Sequence, residues 1–336
     1  MKAVCVSHSL AVCSLCVSLC MCHPLCVSLS LCMYLHVQLV YTFVDTRSSA
    51  RVMSKVSVTS DSDFVHDVSY NYYGDKMALC TSSQCISIWN KENDWKEVHR
   101  INHAHAGPIW RLDWAHAEFG EVIASCSEDR TVSIWSSSRG VWKRRATLTD
   151  SPHAVTDVQF SPRQFGLKFA ACTSDGMVRV YEAPDPLNLS VWEVEDLPCV
   201  KGGCSALSWG DVERLGIVGS AGKLFLYEKT NRWNLVAEIQ ASDQPLKDCA
   251  WAPNLCRESD WIATCGECSV VSVWAVRDGT VTEVHKIDCG VSPIWRCAWS
   301  LTGDILSVAP ENGQVQVWRL AGIHGTWERV LENDDK

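Results

Sequence analysis

Six short segments that end on an aromatic residue recur along this chain at nearly constant spacing. They close at Trp89, Trp135, Tyr181, Tyr227, Trp274 and Trp318, so successive copies lie 46, 46, 46, 47 and 44 residues apart. A period of roughly 40–45 residues marks a repeat architecture, in which one unit cannot bury both its faces and copies must stack.

Each copy has further internal order. A second aromatic stands 18 to 23 residues before the closing one: Tyr70, Trp114, Phe160, Trp209, Trp251 and Trp299. Two positions before each lies Val68, Leu112, Val158, Leu207, Cys249 or Cys297. A spacing of two puts both residues on one face of a strand. Between the two aromatics runs another apolar segment: "MALCTS", "VIASCS", "FAACTS", "LGIVGS", "WIATCG" and "ILSVAP". After the closing aromatic, a short loop leads to a strand such as "WKEVHRI", "WKRRATL", "WNLVAEI", "VTEVHKI" or "TWERVL". Four short antiparallel strands per repeat predict the blades of an all-β, six-bladed WD-repeat β-propeller over residues 64–334. An array of immunoglobulin-like sandwiches would not repeat in phase. The six closing aromatics are then blade-core residues. In "VRVYEAPDPLNLS", Pro184 and Pro186 lack a ladder N–H, so they mark the loop before an outer strand near Val191–Val194.

The same register explains four of the cysteines in the body. Of 19 in the chain, seven lie in the first 32 residues and twelve between Cys80 and Cys297. Nine residues before the closing aromatics stand Cys80, Cys126, Cys172, Val218, Cys265 and Ala309. That is a small apolar slot, which a free thiol fills well. Cys265 and Cys268 form a C-x-x-C, but no second pair stands nearby, so neither metal nor cofactor is expected. The body reads as a reduced, intracellular protein.

A net charge of -9 with no Lys/Arg block argues against direct nucleic-acid contact, which needs a basic stripe along the phosphates. The densest run, "KRR" at 143–145, reads as a solvated strand edge. The G-x-S-x-G, P-loop and H-E-x-x-H patterns do not occur, and no catalytic residue or small-molecule substrate is expected. His103 and His105 lie in "NHAHAGPIW". In WD-type blades, a His in this loop bonds back toward an Asp in the next tight turn of its own blade. Asp129 and Asp175 occupy that turn, whereas the other copies carry Ser83, Ala221, Cys268 and Asn312. A rigid ring without site motifs is read as a platform for other proteins, although fold alone does not fix function.

The N-terminus is a different kind of sequence. From Ala3 to Val44 there is no Asp, Glu, Lys or Arg. The run is long enough for a membrane helix of about 20 residues. Its serines, Pro24, His8, His23 and His36, and the lack of a clear cleavage site, weigh against an anchor or signal. The repeating "CVS" and "SLC" look like a translated simple nucleotide repeat. Residues 1–52 are therefore expected to be a non-structural or spurious extension. A signal or anchor and a disordered tail are the alternatives. Residues 53–63 are expected to form a short lead-in strand.

Strand phase bears on the partner. The first copy begins with its own inner strand near "DFVHDVSY", and the last ends with its own outer strand, "TWERVL". All six blades are self-contained, so the ring is expected to be open. Phe64, Val68 and Tyr70 on the first blade, and Trp299 and Val317 on the last, are the expected partner-blade faces. A strand or small sheet from another chain would cover them as a further blade, with "KVSVTS" at 55–60 supplying one of its strands.

The stretches "FVHDVSYNYYG", "IWRLDWAHAEFG", "ASCSEDRTVSIW", "VTDVQFSPRQFGLKFAACTSDGMVRVYEAPDPLNLSVW" and "IWRCAWSLTGDIL" resemble the Seh-one / Sec-thirteen family of WD-repeat scaffold proteins. The resemblance covers about residues 60 to 331. "VRVYEAPDPLNLSVW" resembles the Seh-one nucleoporin branch. The resemblance implies an open propeller completed by a β-blade from an α-solenoid nucleoporin, alongside other subunits of the Y-shaped nuclear pore complex. It implies a place at the nuclear envelope and a part in nucleocytoplasmic transport of protein and mRNA. It also implies a second role at the vacuolar or lysosomal membrane surface, in a complex regulating TORC-one signalling. The alternative is a COPII-type vesicle coat scaffold of the Sec-thirteen branch. A ubiquitin-ligase adaptor would want a basic or aromatic pocket that the sequence does not display. The fourth copy lacks the longer insertions of the family, and the N-terminal run has no family counterpart.

Overall fold

The computed structural model describes residues 63–330, apart from 92–94, 198–199, 256, 278 and 322–324, together with strands Cys26–Leu31, Val37–Phe43 and Val52–Val58. The body is six four-stranded antiparallel sheets, each built from strands consecutive in the chain. Blade 1 runs from Val65–Tyr70 to Lys96–Ile101, blade 2 from Ile109–Trp114 to Val141–Leu148, and blade 3 from Val155–Phe160 to Glu193–Asp196. Blade 4 runs from Ala206–Trp209 to Trp233–Gln240, blade 5 from Leu246–Trp251 to Thr280–Asp288, and blade 6 from Ile294–Trp299 to Trp327–Arg329. No strand is shared between blades.

The period-two reading of the inner strands meets a regular interruption. In blades 1, 2, 3, 5 and 6 the register shifts by one residue near the strand start, between Val65 and Asp67, Ile109 and Arg111, Val155 and Asp157, Leu246 and Asp248, and Ile294 and Arg296. Such a bulge re-aims the side chain that follows it. In five of the six blades the tight turn between the second and third strands places a left-handed residue five positions before the closing aromatic. Gly176, Gly222 and Gly313 fill it in three blades, and Gln84 and Arg130 adopt φ of 67° and 71° in two others.

Blades meet face to face, and each joint has its own apolar core. Ala78, Cys80, Ile86 and Ile88 of blade 1 pack on Ile109, Leu112, Trp114 and Trp135 of blade 2. The same pattern joins blades 2 and 3, 3 and 4, 4 and 5, and 5 and 6. The slot read from the cysteine register lies in these joints for Cys80, Cys126, Cys172, Val218 and Cys265; these five and Ala309 of blade 6 are fully buried, and the described cysteines from Cys80 onward are free thiols. Tyr181 is a core residue that stacks on Phe169 at 4.9 Å and donates its hydroxyl to Asp150 at 3.3 Å. The proline loop follows it, and the outer strand begins at Glu193, slightly later than the sequence predicts.

Ahead of the body, Cys26–Leu31, Val37–Phe43 and Val52–Val58 form a separate three-stranded antiparallel sheet. The first two strands fall inside the stretch that composition sets aside as non-structural. The third overlaps the expected lead-in strand and pairs with Val37–Phe43. No helix among the described residues is long and apolar enough to cross a membrane.

Candidate partner-binding face

Six blades in a ring have six joints, and five are accounted for above. The remaining blade 1 face carries Val65, Val68, Tyr70, Met77 and Leu79, with Trp89 and Trp95 of the same blade packed against them. Tyr70 meets Trp95 edge-on at 5.7 Å. Among the described residues no member of this cluster comes from blade 6. The opposing surface of blade 6 carries Ser307, Ala309, Val315 and Val317, by register with Ala78, Cys80, Ile86 and Ile88 of blade 1. Val315 and Val317 are half-buried, whereas Ile86 and Ile88 are fully buried in the first joint.

Val68 and Tyr70 therefore lie on the blade 1 face turned away from blade 2, and Val317 lies on the blade 6 face turned away from blade 5. Phe64 precedes the first strand, half-buried, and its carbonyl accepts the Ser82 N–H at 2.8 Å. Trp299 does not belong to this group. It sits on the other side of blade 6, in the joint with blade 5, and its indole donates to the Ala250 carbonyl at 2.9 Å. The reason is strand polarity: in each joint the inner-strand aromatic faces back toward the preceding blade. Trp135, Tyr181, Tyr227 and Trp274 are buried, while Trp89 and Trp318 are half-buried.

The ring interior holds a charge cluster that the sequence reading does not assemble. The residue after each bulge is Asp67, Arg111, Asp157, Asp248 or Arg296, with Ala206 in blade 4, and four of these charged residues line a cavity of about 290 Å³. The carboxylates act as latches between blades. Asp67 accepts the Leu112 N–H at 3.1 Å, Asp157 the Leu207 N–H at 2.9 Å, and Asp248 the Cys297 N–H at 3.1 Å. Arg111 lies 3.4 Å from Asp157 and 3.3 Å from Asp248. Arg296 lies 3.5 Å from Asp248 and 3.9 Å from Asp67. Burial works against the Arg111 charge, but Asp157, Asp248 and Asp67 outweigh it and hold the guanidinium protonated. These groups are a structural ion network, committed to one another and to backbone N–H groups. Aligning the six repeats on Val68 and its equivalents exposes the Asp-Arg-Asp-Ala-Asp-Arg series one position earlier.

Asp248, Cys265 and Cys297 offer ligand atoms within 4.8 Å of one another. The set does not suit a cation: two guanidinium groups already face Asp248, and burial pushes the Cys265 thiol well above its ordinary value. The histidine pair in "NHAHAGPIW" divides. His105 is buried, with Nδ1 at 3.1 Å from Asp129 and Nε2 at 2.8 Å from Ser125 Oγ, which in turn accepts the Trp135 indole N–H at 3.0 Å. Burial raises the Asp129 carboxyl, but hydrogen bonds from His105, Thr131 and the Ala106 N–H outweigh it and hold the group well below the usual range. His103 is exposed.

Comparison with known proteins places this geometry. The WD domain, G-beta repeat family model matches residues 95–136, the segment that contains the His105–Asp129–Ser125–Trp135 network. The curated relatives include Nucleoporin SEH1 of Xenopus tropicalis, 35% identical over 319 residues, covering 83% of this chain and 88% of that protein. Nucleoporin seh1 of Drosophila melanogaster is 37% identical over 296 residues, covering 78% and 83%. Nucleoporin SEH1 of Homo sapiens is 34% identical, covering 81% and 86%. Among solved structures, a chain of "Crystal Structure of Mitotic Checkpoint Complex" superposes with a TM-score of 0.75 at 17% identity, over 93% of this chain and 91% of that one. With 34–37% identity to these three relatives over most of both lengths, this chain belongs to the nucleoporin SEH1 family of WD-repeat propellers.

Proposed function

We propose that this chain is a non-enzymatic scaffold subunit of the nuclear pore, whose ring receives a β-blade from a protein partner between blades 6 and 1. The observation that supports this reading is the count of joints among the described residues: six blades, five blade-to-blade cores, and one apolar cluster on blade 1 to which blade 6 contributes no described residue. The acids and guanidinium groups of the ring interior are held in latches and ion pairs, which fits a rigid platform rather than a reaction centre. The expected donor is an α-solenoid nucleoporin, with other Y-complex subunits attached through it. The loop after Tyr181 and the names of the relatives favour this branch over a vesicle coat. The role at a vacuolar or lysosomal surface rests on family resemblance.

The test is purification of the tagged full chain from its own cells, with mass spectrometry of what accompanies it. An α-solenoid nucleoporin in equal amount, lost when Val68→Asp is introduced, is the expected result. Recovery of vesicle-coat subunits in its place, or recovery unchanged by Val68→Asp, would overturn the proposal.

A further inference from the structure

We propose that in the free chain the slot between blades 6 and 1 is filled from within, by the three-stranded sheet Cys26–Leu31, Val37–Phe43 and Val52–Val58. This rests on the reading that the ring is open at that joint. It adds that the slot has a resident occupant which an incoming blade must displace.

Three observations converge. First, the unmatched face of blade 1 is covered: Val65, Val68, Tyr70, Met77 and Leu79 are 0–3% exposed, although no other body blade contributes to their cluster. An uncovered sheet face would leave such residues open to water. Second, the N-terminal sheet has the form of a blade. It is an antiparallel meander with strands of six, seven and seven residues. Five residues separate its first two strands, as they do the first two strands of blade 1. Third, the connection to the body has the right length. Six residues separate Val58 from Val65, and successive body blades are joined by five to nine. A connector of six residues spans at most about 20 Å, which confines the sheet to the neighbourhood of blade 1. Register pairs Leu39 with Val56, Val37 with Val58 and Phe43 with Val52.

The other occupants of the slot are a second copy of this chain, exchanging N-terminal sheets, and a blade supplied only by a partner. Hydrogen exchange on the purified full chain, read by mass spectrometry, separates them. In the monomer, amides of Lys76–Thr81 are expected to be as protected as those of Lys168–Thr173 in blade 3. Leu39→Asp with Val56→Asp places two carboxylates at one register pair of the sheet, which opposes strand pairing. In that variant, exchange at Lys76–Thr81 is expected to quicken by at least about tenfold while blades 3 to 5 are unchanged. Unchanged protection in blades 3 to 5 shows that the variant is folded.

Fast exchange at Lys76–Thr81 in the wild-type monomer would overturn the proposal, as would an unaltered rate in the double variant. Protection that appears only in a dimer would assign the slot to a second copy and overturn it equally. Failure of the partner purification leaves these measurements intact. Conversely, a partner that binds while Lys76–Thr81 of the free chain are unprotected would uphold the proposed function and remove this inference.

Discussion

Replacing Asp248 with Ala tests whether the axial ion network holds the ring together. Asp248 is 5% exposed. One carboxylate oxygen accepts the Cys297 N–H at 3.1 Å, and the other lies 3.3 Å from Arg111 and 3.5 Å from Arg296. In the variant Arg111 keeps Asp157 at 3.4 Å, but Arg296 keeps only Asp67 at 3.9 Å. A buried charge stripped of its partner costs about 3–5 kcal/mol, and an orphaned buried N–H costs about 1–3 kcal/mol. Because both losses fall in one cluster they do not add fully, and about 4 kcal/mol is expected. Asp248→Asn keeps an oxygen for the Cys297 N–H and loses only the charge, the larger of the two terms, so it is expected to cost about 3 kcal/mol. Urea unfolding of the full chain at pH 8, followed by tryptophan fluorescence, measures both. A loss below about 1 kcal/mol for Asp248→Ala would show that the arginines lean on water rather than on Asp248. Equal losses for the two variants would show that the backbone latch contributes nothing.

Asp113 gives the pH dependence: burial pushes its carboxyl up to about 7, against a hydrogen bond from the Phe160 N–H at 2.8 Å. Its folded value lies above the unfolded value of about 3.9, so its contribution is fully present below about pH 4 and is lost as pH rises through 7. Asp113→Asn is expected to flatten the rise in stability between pH 8 and pH 5, measured as the shift in urea midpoint. His105→Ala is expected to cost about 1–3 kcal/mol, by breaking the links to Asp129 and Ser125, whereas His103→Ala at its exposed site stays within about 0.5 kcal/mol; the same unfolding assay distinguishes them. Among the described cysteines, a thiol reagent followed by peptide mapping is expected to label half-buried Cys85 and Cys268 before buried Cys126 and Cys265, whose thiols burial pushes well up.

The blades were legible because each repeats the same alternation at the same period. That placed Tyr181 in the core despite its neighbouring prolines, and it assigned four cysteines to one packing slot. The site was less legible, for two physical reasons. Which face of a blade a residue serves depends on strand polarity within the ring, so Trp299 passed for a partner-face residue when it packs on blade 5. The bulge near the start of the inner strands breaks strict period two, so Asp67, Arg111, Asp157, Asp248 and Arg296 did not stand out as one convergent set. The outer-strand tryptophans were visible in sequence but had no assigned role until Trp95, Trp142, Trp233 and Trp327 were found edge-on or tilted against Tyr70, Trp114, Trp209 and Trp299 at 5.5–5.9 Å. Two positions of one blade meet there, and no spacing rule along the chain announces it.

The latches also give the open joint its character. They run in one direction, from each blade to the next. Near the ends of the inner strands, Asp113 accepts the Phe160 N–H, Gln159 the Trp209 N–H and Ser208 the Trp251 N–H, at 2.8–3.0 Å. The same position in blade 6 is Ala298, whose methyl group accepts nothing. Arg296, at the other latch position of blade 6, reaches into the ring toward Asp67 and Asp248 instead of onward to a seventh element. Blade 6 therefore meets whatever follows it mainly through its apolar surface, without the directional bonds that fix blades 1 to 6. Apolar contact is roughly proportional to area and indifferent to the identity of the partner strand. An occupant held that way can be exchanged for another of similar shape, and among the described residues no side-chain latch from blade 6 would break in the exchange.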